Sequence, residues 1–283
     1  SDTDGEGTTS SSALDQVEIN VSYDFGNKLK AFIDLEHQDS DSGTDIEQAY
    51  MTYALSDEFS VKAGRFLSYS GWETEEPTGL FQYSGAGYAP YFYGYYQQGV
   101  SGLYSGEKFA AAISIVNDLA GPEADDSEDP AVETMLAFMP TDAITLKGFY
   151  SFDKLDGTDE DTTLINLWGS YAVGSYTFAA EYNMSENAPA YVYGDVGAGL
   201  DSEATGLLLM GNYAFDNGFA LTVRYHEWDI ENAAGTTVED ADGITISPSY
   251  AVNDNLLIVT EYRMETINDI DTDTLAIEAL ITF

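Results

Sequence analysis

The side chains able to do acid–base, nucleophilic or metal chemistry in this chain are almost all carboxylates. Its 283 residues hold 50 acidic and 9 basic side chains, two histidines and no cysteine, a formal net charge of −41. Without cysteine there is no disulfide, no thiolate nucleophile and no soft-metal ligand. His37 and His226 stand in no Ser-His or metal-ligand arrangement, so no enzyme is expected. The glycines at 194, 197 and 199 do not follow dinucleotide spacing and read as loop. So acidic a surface attracts cations and repels phosphate, which excludes nucleic acid as a partner. Carboxylates also cluster: Asp39, Asp41 and Asp45; Asp125, Asp126, Glu128 and Asp129; Asp156, Asp159, Glu160 and Asp161; Asp269, Asp271 and Asp273. Such clusters offer hard oxygen ligands to Ca²⁺. None has the glycine and terminal glutamate of a calcium loop. Ca²⁺ in these loops, with Asp269, Asp271 and Asp273 as candidates, therefore stands beside the simpler reading of a solvated acidic crown. No other cofactor is expected.

The basic residues are few, and their positions are informative. Lys30, Lys62, Lys147, Arg224 and Arg263 fall on the polar phase of segments that alternate apolar and polar residues; Arg65 lies at a segment end. Asp34, Glu36, Glu181, His226 and Glu261 share that phase, as do Glu18 and Glu278. The elements that would hold them are strands. Val17, Ile19, Val21, Tyr23 and Phe25 alternate with Glu18, Asn20, Ser22 and Asp24, and Leu275, Ile277, Ala279, Ile281 and Phe283 alternate with Ala276, Glu278, Leu280 and Thr282. Period two is the strand signal. It predicts about fifteen strands, near 14–25, 28–37, 46–55, 59–66, 97–105, 108–118, 131–139, 143–153, 163–172, 176–184, 204–215, 219–228, 243–251, 255–264 and 274–283.

The connections alternate in length. Gly26-Asn27, Ser56-Asp57-Glu58, Ser105-Gly106-Glu107, Pro140-Thr141-Asp142, Val173-Gly174-Ser175, Asp216-Asn217-Gly218 and Val252-Asn253-Asp254 are hairpin-length turns. Between them lie longer acidic stretches at 38–45, 67–96, 119–130, 154–162, 185–203, 229–242 and 265–273. One end of the molecule then carries turns and the other loops. Aromatics bracket the turns, among them Tyr23, Phe25, Tyr53, Phe59, Tyr104, Phe109, Tyr171, Tyr176, Phe215 and Phe219. That arithmetic belongs to an all-β transmembrane antiparallel barrel, with short periplasmic turns and long external loops. A soluble β-sandwich gives no reason for the alternation of loop length. The apolar and aromatic content, 44% and 13%, argues against disorder. No run of 18 apolar residues forms a spanning helix. The first residues lack signal-peptide character, so an exported form would be mature or trimmed.

If every tight turn is periplasmic, the first and last visible strands run the same way. Closing neighbours in an antiparallel barrel must run oppositely. One further strand before Ser1 repairs this and gives sixteen; fourteen is the alternative if two weaker strands are loop. The expected unit is one barrel domain, 1–283.

Ala49-Tyr50-Met51-Thr52-Tyr53, Val61-Lys62-Ala63-Gly64-Arg65-Phe66, Glu76-Pro77, Tyr83-Ser84 and Pro90-Tyr91-Phe92 before Gly99 carry a pattern. Together they resemble the OmpL-like β-barrel porin family, the type-2 outer-membrane barrel porins. The resemblance covers most of the chain and is most specific over 49–99. It implies an outer-membrane diffusion channel, makes a homotrimer plausible, and agrees with a strand before the first one visible. A C-terminal Phe283 resembles the outer-membrane assembly signal. The resemblance carries no solute preference, because the chain departs from the family in its acidity and in the aromatic density of 67–96.

The function expected is a porin in the outer membrane of a Gram-negative-type bacterium, passing small solutes and ions with preference for cations. Its partners would be outer-membrane lipid, small solutes and cations. Lys30, Asp34, Glu36, Lys62, Arg65, Lys147, Glu181, Arg224, His226, Glu261 and Arg263 are the candidate channel-lining residues, since lipid-facing Lys or Arg near the midplane costs about 2–4 kcal/mol. Loop 67–96, with Trp72, Glu73, Glu75, Glu76, Tyr83, Tyr91 and Tyr93, is the candidate constriction. Packing of that loop on the rim or on a neighbouring subunit is its alternative. The alternative function is a plugged barrel that acts as adhesin, receptor or structural envelope protein through its loops, which inward Phe32, Phe149, Leu257 and Val259 would favour.

Overall fold

The structure, a computed structural model, describes the chain except residues 6, 39–42, 74–75, 118, 120–129, 155–160 and 188–200. Two dipeptide strands, β1 (Asp2–Thr3) and β2 (Gly7–Thr8), precede fifteen long ones: β3 (Gln16–Gly26), β4 (Leu29–Gln38), β5 (Thr44–Ala54), β6 (Phe59–Leu67), β7 (Tyr96–Ser105), β8 (Phe109–Val116), β9 (Ala131–Thr141), β10 (Ile144–Lys154), β11 (Asp161–Val173), β12 (Tyr176–Glu186), β13 (Glu203–Ala214), β14 (Phe219–Glu231), β15 (Thr237–Asn253), β16 (Leu256–Ile267) and β17 (Ile270–Ile281). All fifteen strands read from the period-two pattern are present. Between β6 and β7 lie a 3₁₀ turn, Pro77–Gly79, and one helical turn, α1 (Ala89–Phe92).

Each strand from β3 to β17 pairs antiparallel with the next. The apolar phase faces outward and stays exposed, from Val17 and Ile19 through Leu136, Leu167, Leu209 and Val223 to Ile277, which is 74% exposed. Water does not tolerate so continuous an apolar face; lipid requires one. At the turn end, outward aromatics touch across neighbouring strands: Phe59 with Tyr104, Phe109 with Phe138, Tyr176 with Tyr213, and Phe219 with Tyr250. They form the expected interfacial girdle.

Two of the long connections read from the sequence are short. β14 runs on to Glu231 and β15 begins at Thr237, while β16 reaches Ile267 and β17 begins at Ile270. Asn268 and Asp269 have φ of 49° and 64°, the left-handed pair of a two-residue hairpin. Acidity misled the reading. Glu227, Asp229 and Glu231 occupy the outward phase, but inward Trp228 and Ile230 continue the alternation and are buried. Carboxylates on the outer face end the lipid-facing band without ending the strand.

β3 and β17 run in the same direction, and no ladder joins them among the described residues. β1 covers only the outer end of β17, pairing Asp2 with Asp273 and Thr3 with Thr272.

Two glycines of the 49–99 region have a backbone reason. Gly64 and Gly99 face each other in the β6–β7 ladder. A Cβ on Gly99 would lie 2.1 Å from the Ile115 carbonyl oxygen. One on Gly64, whose φ is +130°, would lie 2.3 Å from that of Ala49. Neither neighbour can move without breaking a ladder. Gly64→Ala and Gly99→Ala are each expected to lose about 3 kcal/mol or more. Gly102→Ala, whose added Cβ meets only Ile113 Cγ2 at 4.0 Å, is expected to fold normally. Migration of unboiled and boiled protein on SDS gels reads the difference; equal folding of all three variants would remove the steric account.

Candidate functional site: a loop folded into the barrel

Inward-facing side chains reveal the path of the β6–β7 loop. Its backbone N–H groups and hydroxyls donate to wall carboxylates that the alternation aims at the lumen. Glu181 on β12 accepts from Trp72 N at 2.7 Å, Tyr88 OH at 2.6 Å and Tyr93 OH, and from Asn166 Nδ2 of β11 at 2.5 Å. Glu261 on β16 accepts from Ser84 N at 3.0 Å and Ser84 Oγ at 2.7 Å. Glu133 on β9 accepts from Ser68 Oγ, and Glu239 on β15 from Tyr91 OH. Asn166 accepts from Gly71 N, Thr222 on β14 donates to the Phe81 carbonyl, and Ser101 on β7 meets Tyr69 OH. Burial, with the charge of Glu181 adding to it, lifts the Tyr88 and Tyr93 phenols well above their ordinary range, so both remain protonated donors.

The loop is also attached by an ion pair. Arg224 Nη1 on β14 lies 2.8 Å and 3.1 Å from the two carboxylate oxygens of Glu73, and both side chains are almost wholly buried. The same guanidinium donates to the Ser84 carbonyl at 2.7 Å and to Thr245 Oγ1 at 3.0 Å. Glu73 also accepts from Gln82 Nε2 at 2.7 Å and Ala86 N at 2.5 Å. Beneath these contacts Tyr88 and Phe92 are fully buried.

The residues named from the sequence therefore separate into two groups. Glu181, Arg224, His226 and Glu261 point inward but lie under the loop, each at most 1% exposed. His226 sits 3.0 Å from Glu265, with Arg263 3.8 Å from the same carboxylate. Lys147 lies over the Trp168 ring. In the loop, Trp72 packs between Phe81 and Trp168, and Tyr83 OH donates to Asp15. Glu73 is held by Arg224 instead of facing open space, and Glu75 lies outside the described residues. On the other side of the lumen Lys30 stays exposed, 3.9 Å from Asp24. Asp34 accepts from Asn20 and Gln48, and Glu36 is buried beside Gln38. Lys62 stands 4.8–5.0 Å over the rings of Tyr50, Phe66 and Tyr69. Arg65 falls on the opposite phase, level with Ala49 and Gln98.

Asp269, Asp271 and Asp273 do not form a shared site. Their carboxylate oxygens are not among those that converge in the described residues. Asp271 accepts from Thr266 Oγ1, and Asp269 occupies the hairpin turn. Most of the other acidic clusters lie outside the described residues. One carboxylate group does converge, and the sequence did not single it out: Glu18 on β3, Glu47 on β5 and Glu76 in the loop, with ligand oxygens within 4.8 Å of one another. Burial pushes the Glu76 carboxyl up to about 8, with the nearby Glu18 and Glu47 adding to the effect.

An antiparallel all-β wall, apolar outside, girdled by aromatics at one end and holding an inward-folded loop, defines an outer-membrane β-barrel of the porin class. The chain belongs to the family described as "Putative beta-barrel porin-2, OmpL-like", whose model matches residues 8–278. Among solved structures it is similar to OmpF of Salmonella typhi in complex with daunomycin, at 17% identity and a TM-score of 0.70, covering 96% of this chain and 92% of that one. It is also similar to the outer-membrane channel DcaP of Acinetobacter baumannii, at 15% identity and a TM-score of 0.70, covering 95% and 84%. The anion-selective porin of Comamonas acidovorans aligns at 13% identity with a TM-score of 0.67, covering 94% and 84%. No curated protein sequence matches the chain at a significant level.

Proposed function

We propose that the protein is a passive diffusion porin that prefers cations, with residues 1–283 in one barrel domain and the loop at 67–96 as its constriction. The observation that carries this reading is the uneven distribution of charge pairing. Arg224, a wall cation, is neutralised by Glu73 under the loop. On β3–β6, on β17 and at the loop's free side, the inward groups that keep some exposure are mainly acidic. Glu18, Asp24, Asp34, Glu76 and Glu278 stand there against Lys30 and Lys62. Carboxylates around a narrow aqueous path focus cations and repel anions.

Planar-bilayer recordings under a salt gradient test the proposal. The reversal potential is expected to have the sign of cation preference, and the double variant Asp34→Asn, Glu278→Gln to lower the cation-to-anion permeability ratio roughly twofold or more. Absence of channels, or anion preference in the parent protein, would overturn it.

The plugged barrel is kept as a second reading by one observation. The loop bonds to seven wall strands, β7, β9, β11, β12, β14, β15 and β16. Liposomes containing the protein swell in small sugars if a path remains beside β3–β6, and do not if the lumen is closed. A homotrimer is also proposed; a Vibrio cholerae OmpT structure of similar fold is described as a trimer form. Light scattering in detergent reads the assembly directly.

A further inference from the structure

Glu47 is inward only because its strand is irregular. In the β4–β5 ladder Asp34 faces Gln48 and Leu35 faces Ile46, so Glu47 is the extra residue of a bulge. A bulge re-aims a side chain that regular alternation would send to the other face. Here it turns Glu47 into the wall, where it is 6% exposed, and its Oε2 has no hydrogen-bond partner. A buried carboxylate oxygen without a partner is costly. What faces it are further carboxylates: Glu18 from β3, Glu76 from the loop, and Glu36 from β4, whose charge acts on Glu47. Asn20 donates to Glu18, and Tyr96 OH to Glu76 at 3.2 Å.

We propose that Glu18, Glu47 and Glu76 form a Ca²⁺ site that ties the constriction loop to β3 and β5. Three oxygens within 4.8 Å of one another leave a point at most about 2.8 Å from each. Ca²⁺–oxygen bonds run roughly 2.3–2.6 Å, so a movement of a few tenths of an ångström completes the contacts. Mg²⁺ demands a near-ideal octahedron at about 2.0–2.1 Å and gives up its waters reluctantly, which suits three carboxylates from separate segments less well. Glu18 and Glu76 are only partly buried, which leaves lumen water to fill the remaining positions. The site is independent of the channel reading: a plugged barrel would hold it equally.

Terbium binding to the refolded full-length protein in detergent tests it, because Tyr96 beside Glu76 is placed to sensitise lanthanide emission. Saturable emission is expected, displaced by Ca²⁺ and at least tenfold less readily by Mg²⁺. Glu47→Gln and, separately, Glu76→Gln are expected to weaken Ca²⁺ competition at least tenfold, whereas Asp271→Asn in the exposed β16–β17 hairpin leaves it unchanged. Heat-modifiable gel migration identifies which variants have folded. Wild-type affinity in whichever of the Gln variants folds, or emission that Ca²⁺ fails to displace, would overturn the site. Because binding is read without conductance, failure here is distinct from failure of the porin proposal.

Discussion

Arg224→Met is expected to destabilise the barrel by about 3–5 kcal/mol, because it leaves one member of a buried ion pair without the other. The guanidinium is the group that joins Glu73, the Ser84 carbonyl and Thr245 in one place. Without it Glu73, only 6% exposed, retains only Gln82 and Ala86 N. Urea unfolding from lipid vesicles gives the stability change. Removing both charges, as Glu73→Gln with Arg224→Met, is expected to recover most of the loss, since replacing a buried pair together is far cheaper than breaking it. Conductance should separate from stability. Both variants weaken the hold of β14 on the loop, so both are expected to show larger or noisier single-channel steps than the parent. Parent-like stability in Arg224→Met, or a double variant no better than the single, would show that the pair is not what fastens the loop.

The wall was legible in the sequence because lipid and lumen impose a strict period of two, and fifteen segments carry it. The same rule put Glu181, Arg224, His226 and Glu261 on the polar phase, and in the structure all four are buried. It could not say whether an inward side chain meets water or loop, since that depends on where residues 68–95 fold, and nothing in their order encodes which wall strand Ser84 or Trp72 reaches. Glu73 shows the limit: it reads as a constriction carboxylate, but a buried arginine 151 positions away claims it. Glu133 and Glu239 were within reach of the alternation, each inward on a strand next to buried apolar neighbours. Glu47 was not, because a bulge shifts the phase at a single residue, and pattern counting assumes that phase is kept. Acidity was the other misleading signal. It was read as loop at 229–242 and 265–273, where the strands continue past the bilayer and water accepts carboxylates on the outer face.

The second large effect is expected at Glu181, the wall carboxylate on which loop donors converge. Glu181→Leu keeps the apolar volume but removes the acceptor for Trp72 N, Tyr88 OH, Tyr93 OH and Asn166 Nδ2. Each donor left unsatisfied in a buried place costs about 1–3 kcal/mol. Some will find other partners, so a loss of roughly 4 kcal/mol or more is expected. Glu181→Gln separates geometry from charge. Its amide oxygen can still accept from the backbone of Trp72, while its NH₂ can donate to a tyrosine oxygen that turns to receive it, so about half the loss is expected. Glu227→Leu, on the exposed outer phase of β14, removes a carboxylate that holds no loop residue and is expected to change stability by less than about 0.5 kcal/mol. The order Leu worse than Gln at 181, with 227 near neutral, follows only if the carboxylate acts as an acceptor for the loop. Were Glu181 instead a solvated charge lining an open channel, Gln and Leu would alter selectivity similarly and leave unfolding almost unmoved. Unfolding and selectivity measured on the same three variants therefore decide whether the wall carboxylates of β9–β16 fasten the constriction or face the passing ions.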